Sequence, residues 1–96
     1  MNQDDRDKLN AEYAVMCKDR TPDASPVPDY LSDDGECWRA VKALWRKFPK
    51  TNLSRWQGRP EIGVDFGNET QLYAGDDESA AALRACVDLK VQVPNV

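Results

Sequence analysis

Histidine is absent from this 96-residue chain, and its absence removes a good deal of chemistry. Without an imidazole there is no Ser-His or Cys-His nucleophile pair, and the commonest proton shuttle near neutral pH is missing. Cysteine is scarce and odd in number, at positions 17, 37 and 86. A disulfide framework calls for an even count, and a zinc site calls for a CxxC-like pair or nearby imidazoles. Cys17, Cys37 and Cys86 are therefore expected to be free thiols, each on a helix, serving as small buried hydrophobes in a reducing compartment. Long apolar runs are missing too, so no segment has the length of a membrane helix. The start of the chain shows no basic-then-apolar leader, and a cytoplasmic location is the expectation. Phosphate-binding glycine loops, HExxH and the EF-hand loop are likewise not found. No catalytic residue, metal ion or cofactor is assigned from the sequence.

The charged fraction of 31% and hydrophobic fraction of 41% are those of a folded globular protein, and the length suits a single domain over residues 1–96. A domain of this size has room for one core and little for a deep enclosed active site. The net charge of -4 conceals a division into blocks. Residues 1–36 carry ten acids and four bases, residues 37–59 carry seven bases and no acid, and residues 60–96 carry seven acids and two bases. A basic middle between acidic ends means either mutual neutralisation or two opposed patches, each able to meet a charged partner.

The stretch CWRAVKALWRKF carries the most apolar area. Cys37, Trp38, Val41, Leu44, Trp45 and Phe48 recur at three- and four-residue steps and predict a central helix whose broad apolar face is the floor of the core. Trp45 is expected almost fully buried between this helix and a sheet. Upstream, a helix over 3–19 has a narrow stripe of Leu9, Tyr13, Met16 and Cys17 and should lie loosely on the body. Prolines 22, 26 and 28 make residues 21–31 an extended connector. Tyr30 and Leu31 then read as a hydrophobic staple ahead of Ser32 as N-cap, with Asp33 and Asp34 in the first turn.

After Pro49 three short strands are expected: 53–57, a turn at Gly58, Arg59 and Pro60, then 61–66, and after Gly67-Asn68, 69–74. A two-residue turn at Gly67-Asn68 would put Gln71 and Tyr73 on the face of Ile62 and Val64, with Leu72 opposite. A three-residue turn would bring Leu72 to the apolar face instead. A last helix follows Gly75, its alanines suited to close approach to the sheet, and ends near Lys90. The helix, strand and helix body spans 33–90, and 91–96 form a short tail. The fold class is α+β, a three-stranded antiparallel sheet packed with helices in α-α-β-β-β-α order.

The paired carboxylates Asp33 with Asp34, and Asp76 with Asp77, sit at helix starts, where capping accounts for them without catalysis. Residues 33–90 share the topology of a double-stranded-RNA-binding domain, but Asp76, Asp77 and Glu78 stand where such domains place phosphate-gripping lysines. The segments NQDDRDKLNAEYAV, PDYLSDDGECWRAVKAL, WQG with EIGVDFG, and ESAAALRACV resemble the phage ABA-sandwich family of small phage-encoded proteins. That resemblance implies a sheet between helical layers and a phage or prophage origin, and transfers no functional residue. The expected function is then a non-enzymatic protein that binds and blocks a host protein or nucleoprotein complex. Its most specific form is an anti-CRISPR-type inhibitor of a CRISPR-Cas effector, acting through an acidic surface of Asp5, Glu12, Asp19 and Asp23. The alternative is a small RNA- or DNA-binding module using Arg39, Lys42, Arg46, Lys47 and Lys50.

The cysteine reading has a direct check. Alkylation under denaturing, non-reducing conditions followed by intact-mass measurement should find three modified sites; fewer than three, or zinc retained through purification, would overturn the free-thiol reading.

Overall fold

The computed structural model describes residues 2–17 and 27–94, apart from the side chain of Trp56. Its elements are α1 (Gln3–Met16), a 3-10 turn (Tyr30–Ser32), α2 (Asp34–Lys47), β1 (Asn52–Trp56), β2 (Arg59–Asp65), β3 (Thr70–Ala74) and α3 (Glu78–Asp88). The fold is α+β in the expected order, with an antiparallel sheet whose strands lie β1-β2-β3.

Helix α1 starts where the Asn2 side chain accepts the Asp5 backbone N–H at 2.8 Å, which satisfies one of the donors a helix start leaves open. It stops at Met16, short of the expected Asp19. Cys17 is already extended and pairs in parallel with Val93, whose N–H donates to the Met16 carbonyl at 2.8 Å. This helix is not loosely attached. Tyr13 has no exposed surface, its hydroxyl donates to Glu36 at 2.9 Å, and its ring meets Tyr30 edge-on at 5.3 Å. Burial, with Cys17 and Glu36 nearby, pushes the Tyr13 hydroxyl pKa up, so it stays a donor. Buried Asn10 accepts from the Leu31 N–H at 3.2 Å and donates to Asp29 at 3.0 Å. Asp29, held by Ser32 first and then by Asn10 and Arg6, has its pKa lowered.

The N-cap of α2 is Asp33, not Ser32: the Asp33 carboxylate accepts from the Gly35 and Glu36 N–H groups. Ser32 belongs to the 3-10 turn and donates to Asp29 at 2.7 Å. Tyr30 and Leu31 are buried, but with Asp33 as the cap the residue just before it is Ser32, so they do not form the staple the sequence suggested.

The central element is α3, where the sequence reading put α2. Ser79, Ala80, Ala81, Ala82, Leu83, Ala85 and Cys86 are all buried. Helices α1 and α2 and strands β2 and β3 all pack on α3. Helix α3 thus contacts the sheet and both other helices, while the C-terminal part of α2 also reaches the sheet at the entry of β1. Among the described residues helices cover one face of the sheet only, so the layering implied by the family resemblance, a sheet between helices, is not the one found. On the covered face Ile62, Val64 and Tyr73 are buried; on the open face Leu72 is exposed.

The two-residue turn prevails at Gly67-Asn68. Asp65 pairs with Thr70, Val64 with Gln71 and Ile62 with Tyr73, the Phe66 N–H reaches the Glu69 carbonyl at 2.9 Å, and Gly67 takes a φ of 99°. Leu72 is left in the outward register because Tyr73 is the side chain that fits beneath α3, its hydroxyl donating to Asp88. The first hairpin turns at Gln57-Gly58, with φ of 51° and 80°, so Arg59 and Pro60 already belong to β2 rather than to the turn. The C-terminal tail is part of the core: Val91 and Val93 are buried.

Close packing around α3 sets the stability test. A Cβ on Gly75 would stand 2.6 Å from the Ala81 nitrogen and 2.8 Å from the Ala80 Cβ, so the chain enters α3 with no spare room. Ala81→Leu should destabilise by about 1–3 kcal/mol through overpacking, whereas Trp38→Ala should stay within about 0.5 kcal/mol. Urea unfolding of the two variants checks the order; a larger loss for Trp38→Ala would put the core on the wrong helix.

Candidate binding surface

Helix α2 buries Glu36, Ala40, Val41, Ala43 and Leu44. The buried arc is turned by roughly a quarter turn from the one that apolar periodicity outlines, at 100° per residue. Two features hold it there. Ala40 and Ala43 are small enough to lie against α3, where Cys86 Sγ reaches the Ala40 carbonyl at 3.5 Å. Glu36 is drawn inward by polar partners: it accepts from Tyr13 and, at 3.3 Å, from Arg39, whose Nε also donates to the Pro94 carbonyl at 2.9 Å. A buried carboxylate needs such company. Arg39 is thereby withdrawn from the basic stripe, its side chain only 16% exposed, and its part is to tie α2 to the tail rather than to meet phosphate.

The rotation brings the tryptophans out. Trp38 is 57% exposed and Trp45 40%, against the expectation that Trp45 would be buried. Their rings stand 6.0 Å apart, tilted by 54°. The Trp45 indole N–H donates to the Thr51 carbonyl at 2.8 Å, which ties the C-terminal part of α2 to the entry of β1.

The two rings form a ridge with a groove on each side. One groove, of about 200 Å³, is bounded by Trp38, Lys42, Arg46 and Pro94. The other, of about 280 Å³, lies between α2 and β1, with Cys37, Val41 and Trp45 on the helix side and Leu53 on the strand side. Leu53 is 50% exposed although it faces the same way as buried Ile62. The reason is position: α3 covers β2 and β3 but stops short of β1. Asp34 and Glu78 close one end of this second groove, and Glu78 is ion-paired with Arg55.

Of the remaining basic candidates, Lys42, Arg46, Lys47 and Lys50 are exposed, and Lys47 lies 5.8 Å from the Phe48 ring. The acidic candidates fare differently. Asp5 and Glu12 are exposed on α1, seven residues apart and so on one side of the helix. Asp19 and Asp23 lie outside the described residues. The carboxylate pairs are explained by folding at one member each: Asp33 caps α2, and Asp77 caps α3 by accepting the Ala80 N–H at 2.8 Å.

The thiol that borders the apolar groove, Cys37, has its pKa raised by burial above all, which keeps it protonated and a poor nucleophile. The Cys86 thiol is pushed up to about 12 by burial. All three cysteines are free, and Cys17 lies just past a helix end rather than on a helix. Among the described residues no three metal-ligating side chains converge, and no helix is long and apolar enough to cross a membrane.

Periodicity misses Trp38, Trp45 and Leu53 as surface residues. The sequence does carry a signal, since the tryptophans of WRAVKALWR share an arc with Lys42 while two alanines mark the opposite one. Comparison of this chain with family models, with curated proteins and with solved structures finds no match in any of the three.

Proposed function

We propose that this chain is a non-enzymatic binding protein that engages a partner protein through the outer face of α2. The observation that carries this reading is the pair Trp38 and Trp45, both substantially exposed and in mutual contact on a helix that packs into the core by another face. Large aromatic side chains left in water on a small domain mark a contact site. Tryptophan and arginine supply most of the energy in protein interfaces, ringed by polar groups that exclude water. Here Lys42 and Arg46 provide such a rim on one side, and Asp34 with the Glu78–Arg55 pair provides it at one end of the other.

The acidic surface has less beneath it, since half of its residues lie outside the described part. Inhibition of a host nucleoprotein complex, the anti-CRISPR-type reading, is one form such a binding protein can take, with the tryptophan ridge rather than the acids as the contact. A second reading, nucleic-acid binding, is supported by the exposure of Lys42, Arg46, Lys47 and Lys50 near the exposed rings of Trp38 and Trp45, because single strands are bound by cations and ring faces together.

Capture from a bacterial lysate, with and without nuclease, separates the two. The expected result is a protein retained after nuclease treatment, and its loss on Trp38→Ala, with affinity falling by roughly 30-fold or more, equivalent to about 2 kcal/mol. Trp38→Ala, and Lys42→Glu with Arg46→Glu, should each melt as the wild type does. Capture that disappears with nuclease and depends on Lys42→Glu with Arg46→Glu, but not on Trp38, would transfer the function to nucleic acid.

A further inference from the structure

The groove between α2 and β1 lies beside a free strand edge. Strand β1, five residues long, pairs with β2 on one side and has no partner strand on the other among the described residues. An open edge presents unpaired N–H and C=O groups, and proteins usually blunt such edges with lysine, proline or a bulge. Asn52–Trp56 contains neither lysine nor proline, and its ladder to β2 runs residue for residue from Asn52–Gly63 to Trp56–Arg59 without a bulge. The one charged side chain of the strand, Arg55, is held by Glu78 and by the Gly58 carbonyl.

From this juxtaposition we infer that the partner contributes an extended segment that adds to β1 as a fourth strand. The segment's alternate apolar side chains enter the groove lined by Trp38, Val41, Trp45 and Leu53. The inference rests on the reading of the α2 surface as a protein-binding site and names the form of the partner. Main-chain pairing supplies affinity in this mode, and side-chain pockets at every second residue supply selectivity. The groove is apolar along its length and acidic at one end, where Asp34 is exposed and borders it. Strand β1 runs back along α2: Thr51, just before the strand, is bonded to Trp45, and Arg55 reaches Glu78 beside Asp34. Charge complementarity therefore places a lysine or arginine at the end of the segment nearest Arg55. A helical ligand would leave the strand edge unpaired; an extended one satisfies edge and groove together.

The test is selection from a displayed library of random seven-residue peptides on the wild-type protein, with counter-selection on Leu53→Asp. Leu53 is half exposed, so that variant should fold, as circular dichroism would verify. The expected consensus has apolar residues at alternate positions and a basic residue at one end. Synthetic copies of the selected peptide are then N-methylated on either the odd or the even residues. One set should lose binding at least 10-fold and the other should not, because only alternate residues turn their N–H toward β1. Hydrogen exchange should slow within Asn52–Trp56 on binding. Tolerance of both methylated sets, a consensus of helical spacing, or no enrichment at all would overturn strand addition. Slowed exchange at β1 without peptide, accompanied by dimers in sedimentation, would also overturn it and make a second copy the occupant. If capture of the cellular partner still requires Trp38 while strand addition fails, the surface reading survives and this inference alone falls.

Discussion

A helix enclosed on several sides can carry only small side chains where its neighbours come closest, and α3 meets that condition with Ala80, Ala81, Ala82 and Ala85, all buried. Leu83 and Cys86 fill the wider gaps. Because α3 is thin, α1, α2, β2 and β3 can all pack against it, and a core forms in fewer than a hundred residues. Gly75 belongs to the same constraint, since the chain passes so near the start of α3 that a Cβ would meet backbone. The tail follows from it as well: after Leu89 the chain turns back, and Val91 and Val93 are buried against the core cluster. Dispersion and apolar transfer at this density hold the elements together without a disulfide.

That constraint also explains what could and could not be read from the residues alone. Element order, capping by Asp33 and Asp77 or their neighbours, and the alternation Ile62, Val64 all reflect local chemistry, which a sequence carries openly. The side of α2 that faces inward does not. Periodicity identifies the most apolar arc and assumes that the largest side chains lie inside it, and on α2 that arc is dominated by Trp38 and Trp45. Against a helix built of alanine the better-fitting arc is the one with Ala40, Ala43 and Leu44. The inward turn of Glu36 depends on Tyr13 and Arg39, one of them on another helix, and such a long-range polar cluster has no periodic signature. The register of the second hairpin was open for the same reason: Leu72 and Tyr73 compete for the face beneath α3, and Asp88, fifteen residues further on, provides the bond that favours Tyr73.

The charge blocks are reshaped by folding in a way that bears on binding. Arg39 is consumed by Glu36 and Pro94, and Arg55 by Glu78. The basic middle of the chain thus enters the folded surface as Lys42, Arg46, Lys47 and Lys50, on one flank and at the C-terminal end of α2, with Arg59 exposed apart from them at the start of β2. An apparently extended stripe becomes a compact patch beside an aromatic ridge. Exposed cations of this kind contribute little to stability, and their effect on encounter with a charged partner is greater and depends on salt.

Separation of the stabilising core from the outer arc of α2 is a further consequence. Since α3 supplies the floor of the core, the outer arc of α2 is released from packing duty, and its residues can be large, apolar and exposed without loss of the fold. Selection for solubility acts against two tryptophans and a leucine clustered in water, where each buried aromatic ring accounts for some 150–250 Å² of apolar area. Folding does not require Trp38 there, because it makes no hydrogen bond among the described residues and lies outside the buried cluster. Trp45 differs in one respect: its indole N–H fixes the entry of β1, so the same side chain that forms the ridge also sets the width of the groove beside the open strand. Ridge, groove and strand edge are thereby tied together on the body that α3 organises, and on the proposed reading such prior ordering would lower the cost of binding an extended segment.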